Sequence, residues 1–378
     1  MLDIYFDSAA TTKPCQAAVE AAVKAMEEYG NPSSTHFRGL AARRIIENAR
    51  GIIADALGCG ADEFIFTGSG SESNNLAIIG AARARRRRSN VIVSTDSEHP
   101  SVEKTLEYLE SEGFQVIRLS TKGGKLDINE LREALKQKVA LVSIMRANNE
   151  TGALYDIAAV RREIENSGCG ALFHCDAVQG FLKTQNRGEL TRYCDLVSVS
   201  AHKINALKGC GGLYVKKGTR LQPIIWGGGH ERGLRSGTEN TPAIAAFGAA
   251  CRDWLSQKDR VQAITALRDY AEQRILKELG DKVAIHRPPE RVCAILSLSL
   301  AGVKSEVALN YLSGEGICVS AGSACSSHQK ENRVLYNFGL KKEEVDSALR
   351  ISFSHMNTKE EIDLLAEYLK KAVDKLAR

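Results

Sequence analysis

The sequence predicts an α/β protein with a large domain built on a mostly parallel seven-stranded sheet and a second, smaller α+β domain. Short β-rich runs recur along the first two thirds of the chain, and helical stretches separate them. Such alternation favours parallel pairing, because a parallel connection has to cross over a face of the sheet. The runs that we expect to form the seven strands begin at Glu63, Asn90, Phe114, Ala140, Ala171, Asp195 and Gly211.

After these runs the pattern changes, which indicates a second domain. One long helical tract is predicted from about Thr241 to Leu279, followed by two further β-rich runs and an amphipathic C-terminal helix. The 378 residues, 43% of them hydrophobic, are enough for two cores. We predict a large domain over residues 15–248 and a small domain made of residues 1–14 and 249–378.

The net charge of +5 is modest, and a run of arginines near the end of one predicted helix supplies much of it. The run comprises Arg83, Arg85, Arg86, Arg87 and Arg88. It is compatible with contact to RNA or an acidic partner, but a solvated helix end is the favoured interpretation. Nucleic-acid binding is therefore not expected.

The ten cysteines are scattered singly, with no Cys-x-x-Cys pair and no zinc-finger spacing, so no structural metal site is predicted. The N-terminal stretch has no basic leader followed by an apolar core. No segment reaches the roughly 18 apolar residues of a membrane span. We expect a cytoplasmic protein whose thiols are reduced.

Lys203 follows a short apolar run that is typical of a buried strand, where a lysine has no ordinary packing role. A carbonyl cofactor such as pyridoxal phosphate needs a lysine to form a Schiff base and a carboxylate to hold its ring nitrogen protonated. Asp176, at the end of another predicted strand, supplies the carboxylate. Because ligands of open parallel sheets bind beyond the carboxyl ends of the strands, both residues are candidates for one site.

A Gly- and Ser-rich loop, TGSGSESNN, follows the first strand of the predicted sheet and opens a helix. Its Gly70 and Ser71 would allow backbone N–H groups and a hydroxyl to approach a phosphate at the helix N-terminus. Taken alone, such a loop is more often a structural turn. Ser200 and His202, which flank the candidate lysine, are further donors for the same phosphate.

Polar side chains also stand at the ends of neighbouring predicted strands. His99 follows one strand, where an imidazole could stack on a cofactor ring and relay protons. Asn148, Asn149 and Glu150 follow the next, and Gln179 lies shortly after the candidate aspartate. Successive polar groups of this kind suit a polar ring with an oxygen substituent and an amino-acid substrate.

Cys325 lies in GICVSAGSACSSH, among glycines and serines rather than apolar neighbours. A loop of small residues gives a thiolate the access that a nucleophile needs. We interpret the other nine cysteines as buried small hydrophobes. Cys325 is therefore the candidate catalytic thiol.

Taken in order, these motifs cover nearly the whole chain and closely resemble those of the NifS/IscS-like cysteine desulfurases. That group belongs to the class-V aminotransferase family, whose members have the fold-type-I fold of pyridoxal-phosphate-dependent transferases. The motifs are YFDSAATT, GNPSSTH, TGSGSESNNLAI, EHPSV, NNETG, HCDAVQ, SAHK, GGGHERGLRSGTEN and SAGSACSS.

The resemblance implies a role for each matching residue. It implies a pyridoxal phosphate held by Lys203, with Asp176 on the pyridine nitrogen, Gln179 on the ring oxygen and His99 stacked above. It implies that the phosphate is held by Gly70, Ser71, Ser200 and His202, and by Thr238 from the second subunit of a homodimer. Arg350 and Asn149 would bind the substrate carboxylate, with Asn149 also next to the cofactor, because a guanidinium fits a carboxylate in bidentate fashion.

The activity that the resemblance implies is the conversion of L-cysteine to L-alanine. Lys203 would remove the α-proton, Cys325 would take the sulfur as a persulfide, and His99 would act as acid or base. The sulfur would pass to an acceptor protein in iron–sulfur cluster assembly or another thiolation. A selenocysteine lyase and a non-catalytic partner protein with the same fold remain the alternatives.

Two short stretches depart from the usual family pattern. Residues 205–207 are Asn-Ala-Leu where a Tyr-Gly-Pro triplet is common, and Ser354 and His355 replace a Gly-Arg pair. Both changes concern loop geometry and substrate fit, and neither affects the residues expected to hold the cofactor.

Overall fold

A computed structural model describes residues 2–184, 188–321 and 332–377. The strands in these ranges are β1 (Ile4–Tyr5), β2 (Phe64–Thr67), β3 (Val91–Thr95), β4 (Gln115–Leu119), β5 (Leu141–Ser143), β6 (Leu172–Asp176), β7 (Leu196–Ser200), β8 (Gly211–Val215), β9 (Val283–His286), β10 (Ile295–Leu300), β11 (Ile317–Cys318), β12 (Ser320–Ala321) and β13 (Ala348–Ser352).

The helices in the same ranges are α1 (Gln16–Glu27), α2 (Phe37–Leu57), α3 (Gly70–Arg85), α4 (Pro100–Ser111), α5 (Ile128–Ala134), α6 (Ile157–Ser167), α7 (Glu189–Tyr193), α8 (Thr241–Ser256), α9 (Arg260–Leu279), α10 (Ser305–Gly314), α11 (Arg333–Phe338), α12 (Lys342–Asp346) and α13 (Lys359–Leu376). In the described ranges, no helix combines the length and the apolar character that a membrane crossing requires.

The main sheet has seven strands in the order β2-β8-β7-β6-β5-β3-β4. All neighbouring strands pair in parallel except β8, which is antiparallel to both β2 and β7. Each strand falls within one of the seven predicted runs. The predicted α/β class with a mostly parallel seven-stranded sheet is therefore confirmed.

Both faces of the sheet are covered, which is why its strands are apolar almost throughout. On one face, α3 and α4 contribute a cluster that includes Leu76, Ile78 and Leu106. The opposite face packs into a larger core that contains Phe173 and Val199. Polar residues inside the strands, such as His174 and Ser198, bond to each other, so the strand ends are where a ligand site can form.

The C-terminal part of the chain forms a second, antiparallel sheet in the order β12-β13-β10-β9. The first strand of the chain joins this part, because β1 pairs in parallel with β11. An isolated bridge between Asp7 and Ser352 continues that contact. The N-terminal segment thus runs from the second sheet towards the carboxyl ends of the main sheet.

The long helical tract predicted from Thr241 to Leu279 is wrong as a single helix. The chain leaves helical geometry at Gln257, and two helices, α8 and α9, result. The physical reason is that the two halves pack on different partners. α8 packs against α1 and α2, whereas α9 packs against α13, so the chain has to turn between them.

The arginine run at the end of α3 contacts the protein itself. Arg83 pairs with Glu112, and its Nη2 also donates to the hydroxyl of Tyr108 over 2.8 Å. Arg85 and Arg88 donate to backbone carbonyl oxygens in the turn before β6. These contacts support the structural interpretation of the run, because most of its guanidinium groups already have protein partners.

A buried ion pair ties α2 to the loop that follows β8. Arg50 and Glu231 form a bidentate pair with distances of 2.7 and 2.8 Å, and both side chains are almost fully buried. The Glu231 carboxylate also accepts from the backbone N–H of Phe66 over 2.7 Å. The pair fixes the loop that leads to Thr238 against the edge of the main sheet.

Replacing Glu231 by alanine is expected to lower the free energy of unfolding by about 3 to 5 kcal/mol, because it leaves the Arg50 guanidinium buried without its counter-charge. The matched control is Glu47→Ala, which removes the exposed partner of the same arginine and should change the value by less than about 1 kcal/mol. Urea unfolding of the three proteins measures the difference. Equal losses of unfolding free energy in the two variants would contradict the importance of the buried Arg50–Glu231 pair.

Candidate active site

A cavity of about 280 Å³ opens where the carboxyl ends of β6 and β7 meet the N-terminus of α3. Most of the predicted site residues line it: Gly70, Ser71, His99, Asn149, Asp176, Gln179, Ser200, His202, Lys203 and Arg350. Thr238 is exposed and is not among the lining residues of this chain. Cys325 lies outside the described residues.

Lys203 ends a short 3-10 turn that directly follows β7, so its side chain leaves the sheet at the cavity. Its Nζ donates to the carbonyl oxygens of Ala9 and Ala10 over 2.5 and 2.7 Å. These two residues also line the cavity. The N-terminal segment therefore forms the wall against which the lysine amine rests.

Asp176 is the last residue of β6 and is buried. One carboxylate oxygen accepts from the backbone N–H of Val178 over 2.9 Å, and the other accepts from Nδ2 of Asn74 over 2.7 Å. The two donors fix the plane of the carboxylate. Sequence reasoning missed Asn74, although it lies one helical turn after Gly70 and thus on the same side of α3.

His99 is connected to the aspartate through the same asparagine. Nδ2 of Asn74 also donates to Oγ of Ser101 over 2.9 Å, and Ser101 lies 2.8 Å from Nδ1 of His99. Because the backbone N–H of Ser101 donates to that Nδ1, Nδ1 is an acceptor and the neutral ring carries its proton on Nε2. Burial lowers the pKa of His99, which favours the neutral ring.

The backbone at the N-terminus of α3 packs so closely against its neighbours that glycine is needed at position 70. A Cβ atom at position 70 would lie 2.7 Å from Val178 and 3.2 Å from Cβ of Ser200. Oγ of Ser200 is buried and has no hydrogen-bond partner among the described residues. Burial lowers the pKa of His202 to about 4, so its imidazole is neutral and can donate one hydrogen bond.

Gln179 lies on the first turn after β6, and both polar atoms of its side-chain amide are hydrogen-bonded. Its Nε2 donates to the carbonyl oxygen of Ala9 over 2.8 Å, and its Oε1 accepts from Nζ of Lys183 over 3.2 Å. Lys183 is buried, and burial lowers the pKa of its amine to about 8. Sequence reasoning missed this lysine, whose only signal is its position one turn after Gln179.

Arg350, on β13, brings the second sheet to the cavity. Its Nη1 donates to the carbonyl oxygen of Asn149 over 3.0 Å and lies 3.4 Å from Oε1 of Glu150. Its Nη2 contacts Oδ1 of Asp7 and Oγ of Ser320, both at 3.1 Å. Asp7 was not predicted as a site residue, because its proximity to the arginine depends on the pairing of β1 with β11.

The unusual residues after the lysine form a firm support for it. Asn205 is buried and has a φ of 65°, a left-handed conformation that asparagine tolerates better than most residues. Its backbone N–H donates to Thr12, its side chain donates to the carbonyl oxygen of Lys13, and Trp254 donates to its amide oxygen. The turn is thereby fixed to the N-terminal segment without the Tyr-Gly-Pro triplet.

The prediction that the nine other cysteines are all buried is wrong for two of them. Cys318 is exposed and Cys59 is half-buried, whereas the remaining seven are buried. Cys318 lies on β11, a two-residue strand that pairs with β1 alone among the described strands, and its side chain is exposed. All nine described cysteines are free thiols.

The residues present fit pyridoxal phosphate. The cavity offers an amine, a fixed carboxylate and a neutral imidazole. At one end it offers a helix N-terminus beside the buried hydroxyl of Ser200, which no described residue hydrogen-bonds. A helix N-terminus of this kind favours a phosphate. A mostly parallel sheet with this set of groups at its strand ends defines the fold-type-I class of pyridoxal-phosphate-dependent proteins.

Comparison with known proteins identifies the family. The chain belongs to the class-V aminotransferase family, whose model matches residues 4–365. A cysteine desulfurase of Trichormus azollae is 36% identical over 377 residues, covering 99% of this chain and 93% of the relative. A cysteine desulfurase IscS of Dictyoglomus turgidum is 36% identical over 384 residues, with coverages of 99% and 95%.

A solved structure described as a NifS-like protein superposes with a TM-score of 0.92 at 32% identity, and the match covers 99% of this chain and 100% of that one. The predicted relationship to NifS/IscS-like cysteine desulfurases is therefore confirmed. Pyridoxal phosphate is the cofactor of this family, so the predicted cofactor is confirmed as well.

Proposed function

We propose that this chain is a pyridoxal-phosphate-dependent cysteine desulfurase that converts L-cysteine to L-alanine and takes the sulfur as a persulfide on Cys325. One observation carries the proposal: the amine of Lys203 and the guanidinium of Arg350 line the same small cavity. An amine that can hold a carbonyl cofactor and a cation that can hold a carboxylate are the two anchors that chemistry on an α-amino acid requires.

The residues proposed to hold the cofactor divide into three groups. Lys203 is the covalent anchor. Asp176 would pair with the ring nitrogen, Gln179 would bind the ring oxygen and His99 would stack on the ring. The phosphate would be held by Gly70, Ser71, Ser200 and His202, with Thr238 contributed by a second copy of the chain. When bound, pyridoxal phosphate supplies an electron sink for the pair released from the substrate α-carbon.

The side chains of the protein then bind the substrate carboxylate and transfer the protons. Arg350 and Asn149 bind the substrate carboxylate, which fixes the α-carbon near Lys203. The amine of Lys203 takes the α-proton and later returns a proton to the product. His99 offers its Nε2 proton to the reacting amino acid, because its Nδ1 is already occupied by Ser101.

For the sulfur step, Cys325 has to be a free thiolate when the substrate arrives. The Cys325 thiolate attacks the substrate sulfur, an S–S bond forms and the Cβ–S bond breaks. The electron pair of the broken bond stays with Cβ, which is protonated and becomes the methyl group of alanine. The persulfide then passes to an acceptor protein that serves iron–sulfur cluster assembly or another thiolation.

We propose a homodimer in which Thr238 completes the phosphate site of the neighbouring copy, and the exposure of Thr238 on this chain is compatible with that role. The division into residues 15–248 and residues 1–14 with 249–378 is kept as a proposal, which the pairing of β1 with β11 supports. A cytoplasmic location suits the free thiols, since a reducing compartment keeps a nucleophilic cysteine active.

The test is alanine release from L-cysteine by the purified, cofactor-loaded protein in the presence of a thiol reductant. Alanine and sulfide in equal amounts are expected. L-selenocysteine is assayed in parallel, and a strong preference for it would replace the proposal with a selenocysteine lyase. No alanine from either substrate, with the cofactor bound, would indicate a non-catalytic protein.

Asn74→Ala tests the link between the aspartate and the histidine. The substitution removes a hydrogen bond to a carboxylate, and such bonds contribute about 1.5 to 3 kcal/mol, so alanine release should fall roughly 10- to 100-fold. The matched control is Asn75→Ala, because the partners of this neighbouring side chain in the described part of the protein are backbone carbonyl oxygens. Steady-state rates of the two variants give the comparison, and equal rates would contradict the role of Asn74.

A further inference from the structure

The carboxylate of Glu150 occupies the two donors that the proposed function assigns to the substrate. Its Oε1 accepts from Nδ2 of Asn149 over 2.7 Å and lies 3.4 Å from Nη1 of Arg350. The side chain is only 10% exposed. An internal carboxylate thus already contacts both groups that would bind the carboxylate of an amino acid.

Arg350 already faces two carboxylates before any substrate is present. Asp7 contacts Nη2 at 3.1 Å and also accepts from Oγ of Ser320 over 2.8 Å. Glu150 makes the longer contact with the arginine, and its second oxygen is buried without a hydrogen-bond partner in the described parts of the chain. Of the two acidic residues, Glu150 is therefore the less firmly held.

A third carboxylate at the same guanidinium would be repelled by the first two. Like charges within a few ångströms disfavour ionisation, and the effect is largest for the group that is most buried. A protonated Glu150 would be a poor acceptor and would release Nδ2 of Asn149. The amide and the arginine would then both be available to the incoming carboxylate.

We propose that Glu150 is a placeholder for the substrate carboxylate, and that amino-acid binding displaces it with the uptake of one proton from solvent. The inference rests on the proposed function, because it takes Arg350 and Asn149 as the carboxylate site. Glu150 is thus a positioning residue: it keeps the donors oriented in the empty site and sets the pH range in which the substrate can replace it.

The surroundings of Glu150 are consistent with this role. Burial raises the pKa of its carboxyl, and Asp7 raises it further, whereas Arg350, Lys203 and the amide of Asn149 lower it. These are the groups that face it from the N-terminal segment, β13, the turn after β7 and its own loop. Arrival of another carboxylate adds a negative charge and raises the pKa again, which gives proton uptake its direction.

The affinity for the amino acid is expected to depend on pH. Between the pKa of Glu150 in the free protein and its higher pKa in the complex, binding takes up a proton and affinity falls as the pH rises. Below that window Glu150 is already protonated and the uptake disappears. Within it, the affinity should change by up to about tenfold per pH unit.

The experiment measures binding of L-alanine to the cofactor-loaded protein by calorimetry, in two buffers with different heats of ionisation, from about pH 6 to about pH 9. L-Alanine is the proposed product, and its carboxylate uses the same arginine without permitting sulfur transfer. The variant Glu150→Gln keeps the shape of the side chain but cannot titrate. Asp7→Asn is the matched control, because it removes the other carboxylate on Arg350 and leaves Glu150 in place.

The wild type and Asp7→Asn are expected to take up about one proton more than Glu150→Gln within the window. Equal proton numbers in wild type and Glu150→Gln would overturn the inference and leave the proposed function intact if alanine is still released from cysteine. If Glu150→Gln does not fold, propionate binding to the wild type decides, because it has no amine to titrate, and absence of proton uptake at every pH overturns the inference. Failure of both ligands to bind refutes the carboxylate site itself.

Discussion

Lys203→Ala should abolish the visible absorption of the lysine-linked cofactor and lower alanine release by at least about 1,000-fold. The lysine is proposed to act twice, as the covalent anchor and as the base that removes the α-proton. Loss of a positioned acid–base group alone costs about 100- to 10,000-fold. An absorption spectrum and an alanine assay on the same preparation measure both effects.

The matched control for this variant is Lys208→Ala. Lys208 lies in the same loop and is exposed, so its removal should leave the spectrum and the rate unchanged. Retention of both the absorption band and turnover in Lys203→Ala would disprove the assignment of the anchor. Loss of both in Lys208→Ala would show that the loop, rather than the amine of Lys203, is responsible.

Cys325→Ala should bind the cofactor normally, with an unchanged visible spectrum, and lose alanine release by at least about 100-fold. Without the Cys325 thiolate, the substrate sulfur has no proposed nucleophile to attack it, and the Cβ–S bond stays intact. Mass spectrometry of the wild type after one turnover should find an added sulfur on the peptide that contains Cys325. The variant should carry none.

Cys318→Ala is the control, because Cys318 is the exposed cysteine among the described residues and precedes the candidate in the same stretch of sequence. It should retain both cofactor binding and persulfide formation. Undiminished alanine release by Cys325→Ala would refute the sulfur-transfer step. The same loss in Cys318→Ala would instead indicate that two thiols act in sequence.

The sequence was sufficient for the main sheet because each strand is a local pattern. Runs of β-branched and aromatic residues between helical stretches predict the strands, and their alternation predicts parallel pairing. The break between α8 and α9 was missed, since Ser256 to Arg260 has no proline or glycine to mark an end. The break results from the packing of α8 and α9 on different partners, and no local sequence pattern indicates it.

The same difference between local sequence patterns and contacts between distant residues applies to the candidate site. Lys203, Asp176 and His99 were predictable, because each stands directly after a strand and the strand ends converge. Asn74 and Asp7 were not predicted as site residues, since their contacts with Asp176 and Arg350 join positions that are far apart in the sequence. Such contacts depend on the tertiary arrangement, which short patterns do not reveal.

The wall formed by Ala9 and Ala10 has a consequence for how the protein matures on the ribosome. Ala9 and Ala10 are synthesised long before their partners, because the strand before them pairs with β11 and Arg350 follows later still. A nascent chain that ends before β11 therefore has the lysine without a complete pocket around it. Such a truncated translation product is expected not to hold pyridoxal phosphate.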